Sequence, residues 1–416
     1  MSERRTSGES AKVRGIFALI SLVTLMSPIA VGCDEDKMYL GDADADTDMD
    51  SDTDSDSDTD TDTATIETTP VTDGGTAERG FFIRDGKIIY MSEGLFGSTE
   101  EQEVFLYDIA ARTTTRYPTR CPNEKCEAPW FRKAMSPVFG GDVYYYFCGF
   151  QNHDDCFIMN IYSADGVSGD VIGEIQTNLD AQFWSELGIC ADRLFWIEWL
   201  GDLGVVKVHD VNTGNEKIVA NADKDIVTVE MIGDNLGFVT SNTGGMEKND
   251  IFLHDLTINH TTAITADSVL QFDVALTDEL VVWTDLRNGE VFNVAFFPGS
   301  YENADIYGYR IGSQDTFEIT TADGDQEKPS AWDNLVCWTD LRHGTRDNPG
   351  GNFYDGAIYC KDLTTGIEKR ISEPDGNSFR PMVWEGWVLY YRHPDGGISV
   401  TDKAHLYLAK VPLPLE

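Results

Sequence analysis

Residues 283–289 read Trp-Thr-Asp-Leu-Arg-Asn-Gly, and residues 338–344 read Trp-Thr-Asp-Leu-Arg-His-Gly. Each stretch follows an apolar run, Leu280-Val281-Val282 in the first case and Leu335-Val336-Cys337 in the second. Each is also followed by an Ile-Tyr pair, Ile306-Tyr307 and Ile358-Tyr359. β-Branched and aromatic residues in a short run that ends in Asp, Asn and Gly make a strand entering a turn. Two near-copies at this separation are an internal repeat, and the rest of the chain can be searched for weaker ones.

The search finds seven units. The aromatic that ends the first run recurs as Tyr90, Tyr146, Trp196, Phe238, Trp283, Trp338 and Tyr390, at intervals of 42 to 56 residues. Second runs follow, as in Val104–Asp108, Val205–Asp210 and Ile251–Asp255, with Phe157-Ile158-Met159 as the degenerate copy in unit two. A third, Thr/Ile-rich run closes several units, for example Lys217-Ile218-Val219 and Glu318-Ile319-Thr320. No helical period of three to four residues is sustained through these units. The spacing predicts an all-β, seven-bladed β-propeller of four-stranded antiparallel blades, with six blades and an open end as the alternative. The last unit stops after Val411 without an outer strand. A segment near residues 64–72 is expected to supply it and close the ring, because an open array leaves unpaired edges.

The two sharpest copies, with Asp305-Ile306-Tyr307 and Ile358-Tyr359 behind them, resemble the repeats of TolB-type β-propellers, which pair an aromatic-Ser/Thr-Asp-x-Arg-x-Gly hairpin with an Ile-Tyr strand. The resemblance implies the propeller architecture. It does not extend to the partner-binding N-terminal domain of that family, so its role is not carried over.

Ahead of the repeats, Arg4, Arg5, Lys12 and Arg14 precede an apolar run from Gly15 to Val31, and Gly32 and Cys33 follow. This is the layout of a secretory signal, and Ala30-Val31-Gly32-Cys33 resembles a bacterial lipobox. The resemblance implies export and a lipid on Cys33, with ordinary secretion or a retained anchor as alternatives. From Asp42 to Asp62 every even-numbered residue is Asp, eleven in all. Such a segment repels itself and buries nothing, so it is expected to be a disordered tether rather than a calcium loop, which needs a Gly turn and a bidentate carboxylate. The expected organisation is a signal over 1–32, a tether over 33–75 and a propeller over 76–416. The chain is then a membrane-anchored envelope lipoprotein, periplasmic or surface-exposed, monomeric, and without cofactor or metal, a calcium ion being unsupported.

The 416 residues carry 31 Lys and Arg against 72 Asp and Glu, a formal charge of −41. Nucleic acid is excluded as a partner on that balance, and a saline habitat is one reading of the acidity itself. Asp285 with Arg287 and Asp340 with Arg342 invite a catalytic reading. A repeated carboxylate–guanidinium pair two residues apart is better read as a scaffold feature that fixes the hairpin. What differs between units is the loop behind the pair. Unit five inserts residues 291–304, with Phe292, Phe296, Phe297 and Tyr301, and unit six inserts residues 345–356. Loops in these positions share one face of a propeller. Together with Arg287, Arg342 and His343 they make a candidate binding face for a protein or a glycan. A carbohydrate-active enzyme, lyase or glycosidase, is the alternative. No G-x-S-x-G elbow of a peptidase occurs, and His153-Asp154-Asp155 is the only local metal-type cluster.

Cysteines in an exported chain pair. If Tyr146 faces Ile158 in a hairpin, Cys148 faces Cys156, and if Trp338 faces Tyr359, Cys337 faces Cys360. Cys121 and Cys126 would close a short loop, leaving Cys190 as a buried thiol.

Overall fold

In a computed structural model, the structure describes residues 66–72, 77–93, 103–118, 134–151, 157–168, 170–180, 187–200, 203–221, 224–242, 245–267, 269–294, 297–346, 353–393 and 404–415. The signal, Cys33 and the Asp-rich segment lie outside them.

The described chain forms seven four-stranded antiparallel sheets and no α-helix. Blades 1 to 6 are built consecutively from residues 77–118, 134–180, 188–219, 225–263, 271–320 and 326–370. Blade 7 takes three strands from residues 377–410 and its outermost strand, Thr68–Pro70, from the other end of the chain. Thr68 faces Ala409, Thr69 faces Leu408 and Pro70 faces Tyr407. The Val71 N–H then donates to the Leu406 carbonyl, and the Leu406 N–H donates to Thr72 Oγ1. The folded ring thus reaches into the stretch expected as tether. The innermost strand of each blade abuts that of the next, and Asn377–Trp384 abuts Ala77–Arg84, so the ring is closed.

Continuous buried runs, as in Leu280–Asp285, Leu335–Asp340 and Asn377–Trp384, bury both faces of the inner strands, as seven sheets packed face to face require. The seven aromatics at the repeat interval occupy one ladder position. Tyr90 faces Phe105, Tyr146 faces Tyr162, Phe238 faces Phe252, Trp283 faces Tyr307, Trp338 faces Tyr359 and Tyr390 faces Tyr407. In blade 3 the residue facing Trp196 is Lys207. Five of these ring pairs lie 5.2 to 6.5 Å apart and two of them, Tyr90–Phe105 and Phe238–Phe252, are nearly parallel at 10° and 12°. Each is worth about 0.5–1.5 kcal/mol beyond its burial. First and second strands join through tight turns, and in blades 1 and 7 both central residues have positive φ (Asp85 and Gly86, Glu385 and Gly386). That geometry matches strand twist and needs the second residue to be glycine.

Adjacent blades are pinned by a second recurring contact. The N–H of Gly204, Ala304 and Gly356, each just ahead of or at the start of a third strand, donates to the side chain of Asp225, Asp325 and Asn377 on the next blade, at 3.2, 3.1 and 3.0 Å. All three pairs are 21 residues apart. Lys217 and Lys361 add links by donating to carbonyls of neighbouring blades, Leu256 and Ile319.

Blade 2 departs from the expected register. Tyr146 faces Tyr162 rather than Ile158, and Cys148 faces Asn160 rather than Cys156. The difference is four residues, which leaves every side chain on its own face, so the apolar pattern cannot tell the two registers apart. Cys156, Cys121 and Cys126 lie outside the described residues. Cys337 faces Cys360 in the blade 6 ladder and the two are joined by a disulfide. Cys190 is not a free thiol: it is disulfide-bonded, to a cysteine whose side chain is outside those described. Its ladder neighbour is Arg193, so the bond joins segments that ladder arithmetic does not relate.

Candidate functional site

In blades 5 and 6 the repeated Asp and Arg form the same clasp. Asp285, shut off from solvent, accepts the Trp283 indole N–H at 2.8 Å, the Arg287 backbone N–H at 2.9 Å, and Arg287 Nε and Nη2 at 2.9 and 2.8 Å. Asp340 accepts from Trp338 and Arg342 in the same four ways, at 2.7 to 2.9 Å. Each guanidinium lies over the tyrosine that faces the tryptophan, Arg287 3.9 Å from the Tyr307 ring centre and Arg342 4.1 Å from that of Tyr359. Arg342 also meets Glu368 at 2.6 Å. The pairing with Asp285 raises the affinity of Arg287 for its proton. Arg342 is likewise raised, its partners Asp340 and Glu368 outweighing the cost of burial. The four oxygen lone-pair directions of each aspartate are taken up, so neither carboxylate is available as a base or nucleophile.

Blade 3 solves the same problem with other residues. Trp196 donates to Glu198 at 3.1 Å, and Glu198, fully buried, is neutralised by Lys207 at 3.1 Å from the facing strand. A buried carboxylate requires a cation, and here the cation stands where the other blades have an aromatic ring. Neither this exchange nor the 21-residue pins were singled out by the sequence reading. The Trp-x-Glu spacing of residues 196 and 198, shared with Trp-x-Asp, is the signal that marks the first.

The two insertions are hairpins. In blade 5, Glu290–Val294 pairs with Phe297–Glu302, and in blade 6 Thr345–Arg346 pairs with Phe353–Tyr354. Both connect the second strand of a blade to the third, so both leave from the same face of the ring. The blade 5 hairpin runs beside Gly245–Asp255 of blade 4. Phe292 faces Ser300, Tyr301 faces Val291 and Phe297 faces Val294, while Phe296 lies outside the described residues. His343 is exposed at the foot of the blade 6 hairpin, and Arg287 and Arg342 are held each within its own blade. About a third of the Arg287 side chain, 31%, is open to solvent.

Beneath the blade 5 hairpin, Asn288 Nδ2 donates to Asp305 at 2.8 Å and stands 3.3 Å from the Tyr307 hydroxyl, which donates to Glu318 at 2.9 Å. Burial and the Glu318 carboxylate push the Tyr307 hydroxyl up to about 12. Burial also pushes the Asp305 carboxyl up to about 6. These groups bond to one another within the blade, and the Oδ1 of Asp305 is left without a partner. A cleft between blades 1 and 2, walled by Lys87, Tyr117, Asp142 and Tyr144, has a volume of about 20 Å³, room for a single water. Among the described residues no three His, Cys, Asp or Glu side chains are grouped to hold a metal ion. His153, Asp154 and Asp155 lie outside them.

No protein-family model matches the chain, and no curated protein matches it by sequence. Solved structures do match in fold. The β-propeller domain of the Trilobed protease from Pyrococcus furiosus, described as having an open velcro topology, aligns over 80% of this chain and 95% of its own with a TM-score of 0.53 and 12% identity. A prolyl endopeptidase aligns over 82% of this chain and 50% of its own, with a TM-score of 0.56 and 11% identity. TolB from Acinetobacter baumannii aligns over 78% of this chain and 80% of its own, with a TM-score of 0.39 and 12% identity. At such identities the likeness is one of fold. This ring differs from an open one in that Thr68–Pro70 closes blade 7.

Proposed function

We propose that the chain is a non-catalytic binding protein of the bacterial envelope, tethered through a lipid on Cys33, whose ring recognises a protein or glycan through the face carrying the blade 5 and blade 6 hairpins. The carrying observation is the contrast within those two blades. Their charged motif residues are consumed by the clasps, while the insertions directly behind the motif form hairpins of their own, different in length in the two blades. Rigid scaffolds that vary by loop are built for recognition. The raised carboxyl that a glycoside-cleaving enzyme would need is represented by Asp305, which is fully shielded and bonded within its blade, so binding is favoured over turnover.

The test is a glycan array and a crosslinking capture from envelope extract, both with the whole chain, followed by a turnover assay on any glycan retained. Retention of a ligand without product supports the reading. Release of cleaved sugar overturns it in favour of a lyase or glycosidase.

A further inference from the structure

Blades 5 and 6 share the bonds of their clasp but differ in the buried ladder beside it, where blade 6 also has the Cys337–Cys360 disulfide in place of Val282 and Gly308. Asp305 faces Asp285 in blade 5, and Ala357 faces Asp340 in blade 6. The fourth strands differ too, with Glu318 facing Tyr307 and Arg370 facing Tyr359. In blade 5 Asp305 therefore meets the carboxylates of Asp285 and Glu318 and the single guanidinium of Arg287. Blade 6 sets two, Asp340 and Glu368, against Arg342 and Arg370.

Asp305 is sealed, and its Oδ1 has no partner. The groups facing it are Asp285 from the second strand, Arg287 and Asn288 from the turn, Tyr307 from its own strand and Glu318 from the fourth. From blade 6, Asp325 holds the N–H of the adjoining Ala304. Its one side-chain bond is to Asn288, and Asn288 is half of the neck of the inserted hairpin. The Asn288 carbonyl accepts from Asn303 Nδ2 at 3.3 Å. At Gly289 an added Cβ would come within 2.4 Å of the Glu302 carbonyl oxygen and 2.6 Å of that of Asn303, so the two sides of the neck are in direct backbone contact there.

We propose that Asp305 is a proton-operated latch on the blade 5 hairpin: neutral, it stays buried beside Asp285 under the closed neck that Asn288 joins to it, and on losing its proton to solvent it favours the open neck. Ionised, Asp305 sets a second buried carboxylate against Asp285 beside the one guanidinium of Arg287, with Glu318 adding its charge from the exposed fourth strand. The buried charge of Asp305 is relieved by water that enters where the neck parts. Burial raises Asp305 most, and the like charges of Asp285 and Glu318 add to it against the pull of Asn288 and Arg287. A carboxyl raised on closing favours the closed form fully below the ordinary carboxylate range, and the advantage is lost as pH rises through about 6. As a control of ligand binding, the latch rests on the reading of this face as the recognition face. As a property of the hairpin it does not.

The experiment is hydrogen exchange by mass spectrometry on the whole chain without partner, corrected for intrinsic rates, comparing residues 288–304 with residues 343–356. Protection of the blade 5 segment is expected to fall about tenfold between pH 5 and pH 7 and to level off above, while blade 6 stays flat. Asp305→Asn, a neutral isostere, and Asp305→Ala, which installs the blade 6 residue, are expected to abolish the pH dependence. A flat profile in the unaltered chain, or an unchanged profile in Asp305→Asn, overturns the latch. Because no ligand is present, neither result bears on whether the face binds one.

Discussion

Asp340 binds Arg342 through both carboxylate oxygens, at 2.9 and 2.7 Å, and no part of the Asp340 side chain is open to solvent. The same carboxylate holds the Trp338 indole, so one residue ties together the end of the second strand, the turn beyond it and the largest ring in the blade. Asp340→Ala is expected to destabilise the ring by about 3 kcal/mol, because it leaves the indole N–H without its acceptor and the largely buried guanidinium with Glu368 alone. Chemical denaturation of the whole chain checks this. A loss below about 1 kcal/mol would place the motif's role elsewhere.

Ring closure rests on a short strand. A chain beginning at residue 66 keeps Thr68–Pro70 and Thr72, whereas one beginning at residue 73 exposes the third strand of blade 7 and removes the acceptor of the Leu406 N–H. The longer chain is expected to melt with the full-length protein and the shorter one several degrees lower, as edge pairing and buried hydrogen bonds are lost. Equal melting temperatures in calorimetry would show that the closing strand adds no stability.

Cys337 and Cys360 are fully buried and separated by 23 residues. Closing a loop of that size contributes about 3 kcal/mol through the unfolded chain. The double change Cys337→Ala, Cys360→Ala should cost about that much, and reduction of the unaltered protein, which also breaks the disulfide of Cys190, should cost more. Mass spectrometry under non-reducing conditions checks the pairing.

The 3–4 turns respond to pH in the opposite sense to Asp305. Asp210 accepts the N–H groups of Asn212 and Thr213, and those bonds hold its carboxyl below the usual range. A lowered carboxyl stabilises at pH above the ordinary range and stops doing so as pH falls through its own value. Asp210→Ala is therefore expected to destabilise at pH 7 and to be nearly neutral at pH 2, in paired melts at the two values.

The number of blades was legible because one ladder position, from Tyr90 to Tyr390, is aromatic in all seven. Closure was legible because Val411 ends a blade one strand short. What escaped was whatever leaves the alternation unchanged. A four-residue slip in blade 2 preserves faces, so Tyr162 was passed over as the partner of Tyr146. Cys190 is disulfide-bonded, and its own blade holds no second cysteine from which ladder arithmetic could have found the bond. Lys207 reads as a surface lysine until Glu198 is seen beneath it. The clasp itself was legible as scaffold from its repetition, but Asp305 was not, since only comparison with Ala357 in space shows what is unusual about it.

The central claim is that the ring is the scaffold and the hairpins do the recognising. It is tested most directly by replacing residues 291–303 with a two-residue turn in the whole chain, then measuring melting temperature and ligand capture on the same preparation. Loss of capture with an unchanged melting temperature is the predicted result. Full capture by the trimmed chain would contradict it and assign the hairpin to packing against blade 4.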